Sequence, residues 1–202
     1  WEVLYGPVGA IDYDAIPELV VGTPSIQLSN LISNTGYDVA VRALCTNGEM
    51  SAWTSADFRT GCGLIASIPF VENFETFETG SSAPLYCWTK LSTSSTTYPY
   101  VINTQSVSGS KSLYFSSSNS NYNLIATPQL DPSISVSSLE VTLQMKASNV
   151  LMKLIVGVLP NIADASSFVP VDTLEVPLAN QWGFYNVPLN SYTGTGSHIA
   201  FK

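Results

Sequence analysis

The 202-residue sequence predicts an all-β protein built from two sandwich-like units. Two segments, Tyr37–Cys45 and Leu139–Met145, alternate apolar and polar side chains with the period of two that a half-buried strand requires. Only 11% of the residues are charged, which is typical of β-rich modules rather than helical enzymes. From Ile68 onward only Asn161–Ser166 suggests a helix, and that is a single turn.

The first predicted unit covers residues 1–61. Turn signals such as Gly6-Pro7 and the polar loop 46–51 separate its strands. The predicted strands are Trp1–Tyr5, Pro17–Val21, Ser25–Leu31, Tyr37–Cys45 and Trp53–Thr60. Because a complete sandwich of this type has seven strands, we expect this unit to lack its first strands.

Tyr37 has the spacing of a tyrosine corner, since Leu31 lies six residues before it. In a tyrosine corner the phenol hydroxyl ties a strand to the loop that precedes it. An ordinary hairpin of another all-β fold is the alternative. Residues 1–60, including WEVLYGPVG and YDVAVRALCTNGEMSAWTSADFRT, resemble the fibronectin type III repeats of large secreted Bacteroidetes surface proteins. The resemblance implies a spacer or adhesion module without chemistry of its own.

The second predicted unit covers residues 62–202. Four motifs occur in order, IPFVENFE, PLYCW, SGSKSLYF and ATPQL, and WGFY and IAFK follow. Together they resemble the cleaved-adhesin and MAM-like domains, which implies a concanavalin A-like jelly-roll β-sandwich. The resemblance also implies that Trp88 and Trp182 lie in the core and that the C-terminal strand of the domain is cut here. Leu151–Leu159 is apolar on both faces, as in a strand inside a sandwich.

The three cysteines allow one favoured disulfide. In the predicted hairpin Cys45 lies at the loop end and Cys62 lies beyond the other end, roughly 25–30 Å away, so these two cannot pair. We therefore predict a Cys62–Cys87 disulfide and an oxidising compartment, the periplasm or the cell exterior. Cys45 is expected to be a buried free thiol; a reactive or intermolecular thiol is the alternative.

Several function classes are disfavoured by the sequence. Seven Lys and Arg residues and a formal charge of −8 disfavour nucleic-acid binding, and no apolar run approaches the ~20 residues of a membrane span. His198 is expected to face solvent and has no triad partner at a recognisable spacing. The serine-rich runs 92–95 and 116–120 contain no nucleophile or phosphate-loop motif. Glu72 and Glu75 would point to opposite faces of one strand, which makes a shared catalytic role of the two carboxylates unfavourable. No catalytic activity is therefore expected.

Two binding sites are candidates. The resemblance implies a structural Ca²⁺ held by acidic residues, for which Glu72, Glu75 and Asp131 are the candidate ligands. Carboxylates that only cap turns or face water are the alternative. A glycan or protein site would combine flat aromatic rings with amide donors from two polar loops; its candidate residues are Tyr98, Tyr100, Asn119, Asn121 and Tyr122.

The sequence therefore favours a non-catalytic, secreted or cell-surface adhesion module that binds glycan or a host or cell-surface protein. The resemblance suggests export by an outer-membrane secretion machinery. The alternative is an accessory or spacer region of a secreted protease or glycoside hydrolase, and a purely structural spacer is the third possibility.

Overall fold

The computed structural model describes residues 1–91, 98–116 and 122–202, and it confirms the predicted all-β class. The chain forms two compact units, Trp1–Gly63 and Leu64–Lys202. The boundary predicted between residues 61 and 62 lies two residues before the observed one. Within the described residues, no helix is long and apolar enough to cross a membrane.

The first unit is a four-stranded antiparallel sheet with the order β2-β1-β3-β4. Its strands are β1 (Glu2–Pro7), β2 (Glu18–Leu19), β3 (Gly36–Arg42) and β4 (Thr54–Arg59). The strand predicted at Ser25–Leu31 is wrong, because that segment has no strand structure. Its ends explain the error: Ser25 N–H closes a tight turn onto the Thr23 carbonyl, and Asn30 has a φ of 58°, which interrupts extended backbone.

The tyrosine corner is confirmed. The Tyr37 hydroxyl accepts a hydrogen bond of 2.9 Å from the Ile32 backbone N–H, and the Tyr37 ring stacks on Phe58 of β4 at a centroid distance of 5.7 Å. Tyr37 is only 5% exposed. The residue thus fastens β3 both to the adjacent strand and to the loop before it.

The buried position predicted for Cys45 is wrong, because this thiol is exposed. Strand β3 ends at Arg42, and the chain then turns: the Cys45 N–H donates to the Glu49 carbonyl at 2.8 Å, and the Gly48 N–H donates to the Cys45 carbonyl at 3.0 Å. Strand alternation cannot place a side chain once the strand has ended. Cys62 and Cys87 are both disulfide-bonded, in agreement with the predicted disulfide.

The second unit is a β-sandwich. One layer is a five-stranded sheet of order β11-β10-β13-β8-β5; the other contains the pairs β9–β12 and β6–β7. The strands are β5 (Thr89–Lys90), β6 (Tyr100–Ile102), β7 (Ser112–Tyr114), β8 (Ile125–Ala126), β9 (Glu140–Met145), β10 (Lys153–Leu159), β11 (Val169–Glu175), β12 (Gly183–Pro188) and β13 (His198–Phe201).

The core of the sandwich lies between its layers in two clusters. In the larger one Val156 and Val158 of β10 pack with Val187 and Leu189 from the opposite layer. The alternation predicted for Leu139–Met145 is confirmed, since the apolar residues of β9 pack against this cluster. The smaller cluster contains Val101 of β6 and Ile125 of β8, so it joins the β6–β7 pair to the five-stranded sheet.

The other face of the five-stranded sheet is also covered. Leu124, Ala126, Leu159 and Ala200 form a fully buried cluster there, against which Phe168 packs. Phe168 follows a short 3₁₀ turn at Ala165–Ser167, slightly beyond the turn predicted at Asn161–Ser166. Burial of β10 residues on both faces explains why its sequence is apolar throughout.

The two tryptophans predicted to be internal behave differently. Trp88 packs between Phe74 and Phe201, with ring centroids 5.7 and 6.3 Å away, which confirms its core position. Trp182 is 38% exposed, so its predicted burial is wrong. It lies just before β12, with the Lys146 ammonium 6.0 Å from its ring centroid.

Candidate functional site

The β6–β7 pair presents a tyrosine-bearing face. The strands are antiparallel, with Tyr100 directly opposite Tyr114 and Val101 opposite Leu113. Val101 is 1% exposed, and Leu113 packs against the same core cluster. Because side chains alternate along a strand, Tyr100 and Tyr114 lie on the opposite face of this pair.

Three rings meet on that face and form what we call the tyrosine cluster: Tyr98, Tyr100 and Tyr114. Their centroids are 5.2 Å apart for Tyr98 and Tyr100, 5.8 Å for Tyr98 and Tyr114, and 5.6 Å for Tyr100 and Tyr114. Tyr114 is 40% exposed and the other two are half-buried. Pro99, between the first two tyrosines, is fully buried, so the core holds the backbone from which both rings project.

The hydroxyl of Tyr100 is held in its protonated form. Burial, followed by the neighbouring phenols of Tyr98 and Tyr114 and a hydrogen bond with Tyr98, raises the pKa of Tyr100 above its usual value of 10.0. A protonated phenol both donates and accepts hydrogen bonds. The cluster therefore combines apolar ring surface with hydroxyls that can pair with a polar ligand at neutral pH.

Glu75 fixes the start of β7. Its Oε1 accepts hydrogen bonds of 2.8 Å from the backbone N–H groups of Ser110 and Lys111, and its Oε2 accepts one of 2.7 Å from the Ser110 hydroxyl. In return, the Lys111 Nζ donates to the carbonyls of Glu75 at 2.8 Å and Phe77 at 2.6 Å. The loop around Glu75 is thus fastened to the residues that lead into Tyr114.

The prediction that Glu72 and Glu75 lie on one strand is wrong. The segment 68–75 is a loop in which Phe74 has a φ of 62°, which is incompatible with continuous extended backbone. The inference that Glu72 and Glu75 point to opposite faces of a strand therefore fails. Glu72 instead accepts a 2.7 Å hydrogen bond from the Phe74 N–H and holds the loop turn.

We predict that replacing Glu75 with glutamine makes stability less dependent on pH. Hydrogen bonds from the Ser110 hydroxyl and from the Ser110 and Lys111 N–H groups lower the pKa of Glu75 below its usual 4.5. A lowered pKa in the folded state means that this stabilisation is complete above pH 4.5 and is lost as the pH falls through the folded value. The melting temperature of the wild type should therefore exceed that of Glu75→Gln at pH 7, and the difference should shrink towards pH 3.

The matched control for this experiment is Glu140→Gln, which changes an exposed carboxylate on β9. It should leave the melting temperature at pH 7 within about a degree of the wild type, because exposed surface substitutions usually have small effects. A difference between wild type and Glu75→Gln that stays constant from pH 7 to pH 3 would contradict the role given to the ionised carboxylate.

The remaining candidate calcium ligand, Asp131, closes a local turn. Its Oδ1 accepts from the Ser133 hydroxyl at 2.6 Å and from the Ser133 N–H at 2.9 Å, and these bonds lower its pKa. In the part of the chain that the structure describes, no three His, Cys, Asp or Glu residues are grouped as a metal site. Calcium binding by Glu72, Glu75 and Asp131 stays a prediction.

The predicted ligand-binding residues are only partly brought together. Tyr98 and Tyr100 are neighbours. Tyr122 instead packs against the fully buried cluster that contains Leu124, and the Lys202 ammonium lies 4.2 Å from its ring centroid. Asn119 and Asn121 lie outside the described residues. Tyr114 was missed from the sequence; the signal available was the register, since pairing YPYVI with KSLYF places two tyrosines side by side.

His198 is not the solvent-facing residue that the sequence predicts. It is half-buried at the start of β13, and its Nδ1 lies 3.0 Å from the Thr127 carbonyl oxygen. The side chain therefore joins β13 to the segment that follows β8.

No family model matches the chain, and no curated protein matches it. A solved structure with some similarity comes from work on the promiscuous specificity of carbohydrate-binding modules of the β-sandwich superfamily. It shares 14% identity with a TM-score of 0.38, over 100% of this chain and 76% of that one.

Proposed function

We propose that this protein is a non-catalytic binding module that recognises glycans through the tyrosine cluster. The observation that carries the proposal is the meeting of Tyr98, Tyr100 and Tyr114 on the face of β6–β7 that points away from the core. Sugar rings present C–H groups on their faces and hydroxyls at their rims. Aromatic rings with protonated hydroxyls match both features.

The support from β6–β7 is structural as well as chemical. The inner face of the pair packs against the core, and Glu75 fastens the backbone before β7. Tyrosine also loses little conformational entropy when it is ordered by a ligand, because it has two side-chain torsions. A site held in this way can bind without rearrangement of its backbone.

The disulfide supports a location in an oxidising compartment, either the periplasm or the cell exterior. We extend the proposal to a cell-surface or secreted adhesion role, with export by an outer-membrane secretion machinery. A protein ligand at the same rings and an accessory role beside a secreted hydrolase are the rival functions.

The proposal is tested by screening the 202-residue chain and its Tyr114→Ala variant on a glycan array. We expect the wild type to bind a defined set of glycans and the variant to lose most of that signal, because it removes the most exposed ring of the cluster. The matched control is Phe184→Ala, which removes a 65% exposed aromatic ring of the same unit that is outside the cluster. Absence of binding by the wild type, or equal losses in the two variants, would contradict the proposal.

A further inference from the structure

The second unit has few cations with which to recognise an acidic ligand. Between residues 64 and 202 the sequence has eight Asp and Glu residues against five Lys and no Arg, which leaves a formal charge of −3. The segments 92–97 and 117–121, on either side of the tyrosine-bearing strands, contain only Ser, Thr and Asn. Apart from His198, whose Nδ1 lies 3.0 Å from the Thr127 carbonyl oxygen, any cation that this unit offers to a ligand must therefore be one of the lysines.

Four of those lysines have other partners. Lys111, the nearest in sequence to the cluster, directs its ammonium to two backbone carbonyls. Lys153 forms a 2.6 Å ion pair with Glu175, and Lys202 lies over the Tyr122 ring. Lys146 lies over the ring of Trp182.

The fifth lysine, Lys90, is half-buried on β5. Burial lowers its pKa, which weakens it as a partner for an anion. It also belongs to the five-stranded layer, whereas the cluster is on the β6–β7 pair of the opposite layer.

An acidic sugar placed on the cluster would lose water from its carboxylate without gaining a cation from the second unit. Removing a charged group from water without pairing it is costly, and the negative unit adds repulsion at long range. A neutral sugar avoids both penalties, because the tyrosine hydroxyls can pair with its hydroxyls.

From this charge distribution we infer that the tyrosine cluster selects uncharged glycans over acidic glycans of the same backbone. The inference rests on the proposed function and specifies its ligand class. A site suited to uronic acids, sialic acids or sulfated sugars would need a cation beside its aromatic rings. The lysines of the second unit do not supply one to the tyrosine cluster.

The test compares two oligosaccharides of equal length and linkage, one of a neutral hexose and one of the corresponding hexuronic acid, by calorimetric titration of the 202-residue chain. We expect the hexose oligomer to bind at least about tenfold more tightly at low ionic strength. The ratio should fall as salt is added, because salt screens the repulsion. A hexuronate that binds as tightly as the hexose or more tightly would overturn the inference.

A variant separates the charge effect from shape. Ser112→Lys adds an ammonium two residues before Tyr114 on the same face of β7, and we expect it to narrow the preference for the hexose. An unchanged preference would overturn the electrostatic basis of the inference. A hexuronate complex that is tight in the wild type and lost in Tyr114→Ala would retain the proposed function while overturning the selectivity. No binding of either oligomer, together with no glycan bound on the array, would remove both.

Discussion

Replacing Gly157 with alanine should lower the free energy of unfolding of the second unit by about 3 kcal/mol. A Cβ atom at this position would overlap the Val169 carbonyl oxygen and lie 2.8 Å from Cε2 of the Phe168 ring. The Val169 oxygen belongs to the backbone of the neighbouring strand, so it cannot turn aside as a side chain can. Either the β10–β11 pairing or the packing of Phe168 must yield.

The local structure explains why glycine is needed. The register between β10 and β11 shifts between Val156 and Gly157, where Val156 pairs with Asp172 and Gly157 pairs with Pro170. Such a bulge brings two backbones unusually close. The Phe168 ring occupies the space where a side chain at position 157 would lie, and it packs against the fully buried cluster on that face.

The measurement is a urea titration followed by near-ultraviolet circular dichroism. The matched control is Gly61→Ala, because a Cβ at Gly61 meets no atom within 4 Å. The control should unfold at nearly the wild-type urea concentration, while Gly157→Ala should unfold at a clearly lower one with a similar slope. If both variants unfold at the same urea concentration, the close approach of the two backbones at Gly157 does not limit the stability of the second unit.

The parts of the fold that sequence predicted correctly depend on short-range patterns. The alternation of Leu139–Met145 placed β9 on the core, and the spacing of Leu31 and Tyr37 indicated the hydrogen bond from Ile32. Both follow from the geometry of one strand and its adjacent loop. Prediction from neighbouring residues therefore works where neighbouring residues decide the structure.

The errors arose where a segment left regular structure. Glu72 and Glu75 were expected on one strand, but the positive φ of Phe74 interrupts extended backbone there, and the segment is a loop that holds β7 through Glu75. Cys45 was predicted to be buried because it continues the alternation of β3, but that strand ends at Arg42. The candidate site shows the same limit, because only the pairing of β6 with β7 brings Tyr114 to Tyr100.

Replacing Tyr100 with alanine should weaken binding of the preferred glycan about 30-fold, equivalent to about 2 kcal/mol. Tyr100 contacts both other rings of the cluster, so its loss removes its own surface and the support of its neighbours. Tyr100→Phe keeps the ring and deletes only the hydroxyl, and should cost about 1 kcal/mol, or roughly fivefold in affinity. Calorimetric titration with the tightest glycan from the array measures both.

The difference between these variants identifies the source of affinity. Losses of equal size would mean that Tyr100 acts mainly through its hydroxyl, while wild-type affinity in Tyr100→Ala would exclude the cluster as the site.

The pH dependence of glycan affinity gives an independent check. Because burial and the adjacent phenols raise the pKa of Tyr100 above 10.0, its hydroxyl stays protonated through pH 9. Affinity that depends on this hydroxyl as a donor should therefore be constant from pH 6 to pH 9 and fall only at higher pH, as the phenol ionises and the hydrogen-bond donor is lost.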